Sequence, residues 1–138
     1  MTQSLIFKSL ITWALFIPVA ITNGFIREVG YKPFIGELAA HQISTVIAVT
    51  VFFFMVYLLR RHDFYNLSRS KLFLIGLGWV FLTILFEFGF GHYVEKMPWS
   101  RLLADYNIFN GRVWSLMLLA ELLTPLVVKS LLKRNITP

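Results

Sequence analysis

Residues 72–91 read LFLIGLGWVFLTILFEFGFG, with Glu87 as the sole charge in the run. A hydrocarbon layer about 30 Å thick takes roughly 20 residues of α-helix, and this stretch supplies that length. Residues 5–25, 37–59 and 113–132 have the same character. Inside lipid a segment must satisfy its own backbone hydrogen bonds, so each is expected to be helical. The fold expected is therefore an all-α integral membrane protein, a single domain of four transmembrane helices over residues 1–138.

Composition agrees with this. Of the 138 residues 57% are hydrophobic and 14% charged, against roughly 25% charged in soluble chains. The net charge of +6 would suggest nucleic acid in a soluble protein. Here no basic patch is interleaved with free aromatics, so nucleic acid is not expected as a partner; membrane lipids are. The absence of cysteine excludes disulfides, thiolate metal sites and cysteine nucleophiles. The run SLITWALFIPVAITNG after Lys8 has the build of a signal peptide, but is expected to be the first membrane helix.

Turn residues separate the spans: Gly30, Pro33 and Gly36, then Asn66-Leu67-Ser68, then Met97-Pro98 and Asn110-Gly111 around a long third connection. Asn110 is expected to cap the fourth helix. Lys8, Arg60, Arg61, Arg69, Lys71, Lys129, Lys133 and Arg134 fall on one side, and Arg27, Lys32, Lys96, Arg101 and Arg112 on the other. Cationic loops stay cytoplasmic, which puts both termini inside. The chain resembles, in a general way, small four-helix membrane proteins of bacteria. That likeness carries no activity and suggests the inner membrane.

This topology gathers polar residues from distant parts of the sequence onto the outer face. Glu37 and His41 are four apart and share a helix face, continued inward by Ser44, Thr45 and Ala48. Such a pair can share a proton or help hold a divalent ion. No metal site is established, and Glu37, His41 and Glu87 are the ligands to expect if one forms. Gly76, Val80, Thr83, Glu87 and Gly91 make a small-and-polar stripe suited to close helix packing. His92 lies about 140° around the helix from Glu87, so each needs a partner on another element. Asn23 and Arg27 share a face with Glu28 beside them, and the expected partners of Arg27 and Arg112 are Glu28, Glu37 and Glu87. Glu121 sits near the middle of the fourth span, four residues before Pro125. A carboxylate at that depth marks a candidate functional residue.

The third connection is expected to hold a short interfacial helix capped by Ser100. Its Trp99, Leu102, Leu103 and Tyr106 would lie on one face, with Arg101 and Asp105 paired on the other. That segment would form a lid over the polar crater.

Three function classes follow. Transport or proton-coupled handling of a small solute leads, on Glu121, and would call for a homo-oligomer such as a homodimer. An accessory subunit or binding protein of a larger membrane complex is the second, with haem on His41 and His92 as a variant; the sequence names no cofactor. The third is a membrane-embedded enzyme acting on a lipidic substrate from the outer leaflet, although no nucleophile or phosphate-loop motif is present. The cysteine-free chain makes the orientation testable. A Glu95→Cys variant should react with an impermeant maleimide on intact cells, and Ser70→Cys only after permeabilisation; the reverse pattern would overturn the orientation.

Overall fold

A computed structural model describes residues 2–135. Helix α1 (Gln3–Ile26) begins at Thr2, whose side chain accepts from the backbone N–H of Leu5. It runs on through a π-helical turn, Arg27–Tyr31, into the short α2 (Lys32–Ile35). Gly36 then breaks the chain at φ 88° and ψ 167°, a conformation essentially confined to glycine. Helix α3 is Glu37–Tyr65, and α4 is Arg69–Gly89, prolonged by a second π turn, Phe90–Val94. The connection that follows contains α5 (Trp99–Ala104) and a 3₁₀ turn (Ile108–Asn110), before α6 (Ser115–Arg134).

Four helical stretches are long and apolar enough to cross a membrane: Gln3–Ile35, Glu37–Tyr65, Arg69–Val94 and Ser115–Arg134. They coincide with the four expected spans, but the first three run further. Gly30 lies within the π turn, and Pro33 falls at the start of α2, where its missing N–H breaks nothing. Neither interrupts the first span; Gly36 alone does.

Two expected caps are displaced. Asn110 closes the 3₁₀ turn, Gly111 turns left-handed at φ 78°, and α6 starts only at Ser115. The short helix of the third connection exists, but Pro98 stands at its N-cap and Ser100 lies inside it.

Helix α6 packs broadly against both α3 and α4, whereas α1 leans on α3 and only grazes α4. Where α4 crosses α6, a Cβ built on Gly76 would lie 2.9 Å from the Cα of Leu122 and collide with the Leu122 carbonyl. The two backbones therefore touch, as small residues permit. Beside this crossing, Phe16, Phe52 and Trp79 form an edge-on ladder, with centroids 5.0 and 5.5 Å apart. The Trp79 indole donates to the carbonyl of Ser9 at 2.9 Å.

At the end where the termini meet, Arg60 donates to Thr12 at 2.7 Å and pairs with Asp63, which Lys8 also reaches. Lys129 donates to the Leu67 carbonyl, tying α6 to the α3–α4 turn. That end is closed.

The crossing predicts a sharp contrast between neighbouring glycines. Gly76→Leu should lower the unfolding free energy in detergent by about 1–3 kcal/mol, the usual cost of overpacking. Gly78 faces open space, so Gly78→Leu should stay near wild type. Equal losses would refute the close contact.

Candidate functional site

At the opposite end from the termini, Glu37 opens α3 and accepts from both Arg101 of α5 and Arg112, the latter at 3.0 Å. Asp105 pairs with the same two arginines, at 3.4 and 3.7 Å. The four charges close a ring that holds α5 over the ends of α3 and α6. All four are partly exposed, so the ring contributes little stability. Its effect is positional. Gln42 adds a 3.0 Å hydrogen bond to the Gly111 carbonyl.

Glu87 is the second anchor of this strap. Tyr106 donates its phenolic O–H to the Glu87 carboxylate, and the Trp114 indole faces the same two groups. Phe88 stacks on Tyr106, with centroids 5.7 Å apart. Burial, reinforced by the Glu87 charge, raises the Tyr106 phenol above its ordinary range, so Tyr106 keeps its proton and remains a donor. Gly91 makes room for Leu102: a Cβ there would lie 2.6 Å from a Leu102 methyl. Of the apolar face expected on this helix, Leu102 is buried while Leu103 stays 59% exposed. With only six residues, α5 offers one position to the cleft that Gly91 leaves.

His92 and Glu87 have separate partners, as helical geometry requires. His92 Nδ1 lies 2.9 Å from the Met97 carbonyl, which calls for the Nδ1–H tautomer, and its ring stacks on Trp99 at 3.8 Å.

Beneath the strap lies a cavity of about 490 Å³. Its polar lining includes Asn23 and Arg27 from the first span, His41 and Ser44 from α3, Glu87 from α4, and Asp105 and Tyr106 from the connection. Its walls are apolar and mostly aromatic, with Phe25, Phe86, Phe88, Phe90 and Trp114 among them. Asn23 donates to both the carbonyl and the hydroxyl of Ser44, at 3.0 and 2.9 Å, which pins α1 to α3 at the floor. Arg27 pairs with Glu28 at 3.3 Å through Nε, and Lys32 holds the other Glu28 oxygen. His41 is only 6% exposed, and its Nε2 has no hydrogen-bond partner among the described residues.

The expected crater residues thus divide. Asn23, Arg27, His41, Glu87, Asp105 and Tyr106 line one cavity. Glu37, Arg101 and Arg112 belong to the ring above it, and His92 and Trp99 to the rim. Arg112 pairs with Glu37 and Asp105 rather than with Glu87. Glu37, His41 and Glu87 are not drawn into one ligand set, and no group of three or more His, Asp or Glu that could hold a metal ion occurs among the described residues.

Glu121 is fully buried and outside the cavity lining. It accepts from Thr83 at 2.7 Å, and Thr83 accepts from the Trp13 indole at 2.9 Å; Glu121 Oε2 has no partner among the described residues.

Sequence reasoning missed Trp114 and the aromatic walls, and did not join Thr83 to Glu121. Depth was the usable signal for that last pair, since both lie well inside their spans. Comparisons with protein-family models, curated proteins and solved structures find no match to this chain.

The strap's two anchors should differ in weight. Tyr106→Phe leaves the half-buried Glu87 without its phenolic donor and should cost about 1–3 kcal/mol; Arg101→Ala should cost below about 1 kcal/mol. The raised phenol also gives wild type a stability term that is complete below the ordinary tyrosine value of 10.0. That term is lost as pH climbs above it. Unfolding followed from pH 8 to 11 should show this alkaline loss in wild type and not in Tyr106→Phe; identical slopes would refute the assignment.

Proposed function

We propose that the protein resides in a bacterial inner membrane with both termini cytoplasmic. There it binds an amphipathic, lipid-like molecule taken laterally from the outer leaflet. One observation carries this reading: the cavity combines a polar floor with aromatic walls and is lined from both sides of the loose α1–α4 seam. At its rim Ile21 and Phe25 stay 48% and 66% exposed, so the opening faces the region occupied by acyl chains. Ligand sites are mostly apolar, with a few placed polar groups, and this one fits a hydrocarbon tail with a compact polar head.

A solute pathway draws its support from Glu121, whose Oε2 is buried without a partner among the described residues. The cavity does not extend to Glu121, and at the opposite end of the bundle Lys8 and Arg60 pair with Asp63. The geometry therefore favours a one-sided binding site over a through-path.

Gly24 lines the cavity, and a Cβ built there has only the Arg27 guanidinium near it, at 4.0 Å. Gly24→Leu should fill the mouth without disturbing the helices. Native mass spectrometry of protein extracted in mild detergent should show a retained amphiphile in wild type and in Gly89→Leu, whose added side chain meets open space. Gly24→Leu should lose it. Equal retention in all three would refute the site.

A further inference from the structure

We infer that the head group held in this cavity is an oxyanion, a carboxylate or phosphate, and that Arg27 and His41 are the residues that bind it. The inference rests on the binding reading above and names the ligand's chemistry.

The argument is an account of which polar groups still have capacity. The acceptors around the site are largely engaged. Lys32 and Arg27 hold Glu28, and Arg101 and Arg112 hold both Glu37 and Asp105. Tyr106 donates to Glu87, while Glu95 stands exposed at the rim. What is left over is the remainder of the Arg27 guanidinium and one imidazole nitrogen, a donor in its Nε2–H tautomer. Arg27 uses Nε for Glu28, and its Nη2 lies over Gly24, where the added Cβ would touch it. His41 Nε2 is the buried polar atom of the cavity lining that lacks a partner.

A buried donor without a partner is costly, and an oxyanion would satisfy it by fixing the Nε2–H tautomer of a neutral imidazole. Arg27 then supplies the charge, and its planar fork suits a two-oxygen acceptor. Asn23, already donating to Ser44, ties α1 to α3 in the cavity that Arg27 and His41 both line. The tail would leave between Phe86 of α4, Phe90 of the π turn that prolongs it, and Ile21 of α1.

Purified wild-type protein in neutral detergent should be titrated with three oleoyl probes: oleate, oleoyl lysophosphatidate and uncharged monoolein. Charge-assisted hydrogen bonds predict that at least one acidic probe binds roughly tenfold or more tighter than monoolein. Comparison of the two acids identifies carboxylate or phosphate as the preferred oxyanion. Arg27→Gln should bring the acidic probes to the monoolein level while monoolein binding persists, which also reports a folded site. His41→Gln should weaken the acidic probes by several-fold, and Lys96→Gln, which removes an exposed cation from the same end, should change nothing. Equal affinity for all three probes in wild type would overturn the oxyanion assignment and leave the cavity reading standing. Retention of the acidic preference in both Arg27→Gln and His41→Gln would overturn the residue assignment. Binding of every probe unaffected by Gly24→Leu would instead remove the cavity reading itself.

Discussion

The Trp13 indole donates to the Thr83 hydroxyl, and that hydroxyl donates onward to Glu121. Three helices, α1, α4 and α6, meet at this chain of two hydrogen bonds. Among apolar helices a buried polar group without a partner costs about 1–3 kcal/mol, so the relay restricts how the helices rotate and slide. Trp79 on Ser9 and Arg60 on Thr12 repeat the device further along α1. The half of the bundle below Thr83 is thus fastened across several helices. Shape-filling aromatics and the Gly76–Leu122 crossing complete it.

Beyond Thr83 the constraint changes. Asn23 is the one α1 side chain in this region that the described hydrogen bonds tie to α3, through Ser44, and α1 meets α4 there through the edge-on contact of Trp13 with Phe86, with no described hydrogen bond beyond Thr83. Both helices widen into π turns at this level, Arg27–Tyr31 and Phe90–Val94. Such turns shift the facing of the residues that follow and recur at functional sites. The strap, meanwhile, is fastened elsewhere. Its four-charge ring joins it to α3 and the start of α6, and Tyr106 joins it to α4. No described ion pair or hydrogen bond ties it to α1. A roof held on three helices, over a fourth that diverges, leaves a cavity with a side opening. The opening is thus a product of where the polar fasteners are, rather than of a missing side chain.

How far the sequence reached follows the same physics. Span number and the short helix of the connection were legible because hydrophobic length and amphipathic spacing are local properties. Arg101 with Asp105 was legible for the same reason. The convergence of Asn23, Arg27, His41 and Glu87 followed from alternating topology, which needs only the order of the spans. Pairing across helices was not legible. Glu87 takes Tyr106 rather than an arginine, and Arg112 takes Glu37 and Asp105, because rotation of each helix decides partners and rotation depends on packing. The late start of α6 was hidden too: Gly111 adopts a left-handed conformation that moves the helix start past Asn110. Leu103 shows the limit of periodicity on a six-residue helix, where one turn's facing cannot be averaged over several.

Two buried atoms without partners, Glu121 Oε2 and His41 Nε2, separate the competing functional readings. They look alike in isolation, since each is a polar atom removed from water. Their surroundings differ. Glu121 has its other oxygen on Thr83 and lies outside the cavity, so a group that reached Oε2 would first have to part α4 from α6, which Gly76 holds in backbone contact. His41 lines a space of about 490 Å³, with an arginine among its neighbours and a side opening already formed. Reaching Glu121 requires a rearrangement of the core, whereas reaching His41 requires none. A role for Glu121 would therefore depend on a conformational change that its packing opposes, and a role for His41 depends only on a ligand of matching chemistry. On that asymmetry, the proposed ligand site rests on the imidazole and Arg27, and the deep carboxylate is the core's anchor for Thr83 and, through it, Trp13.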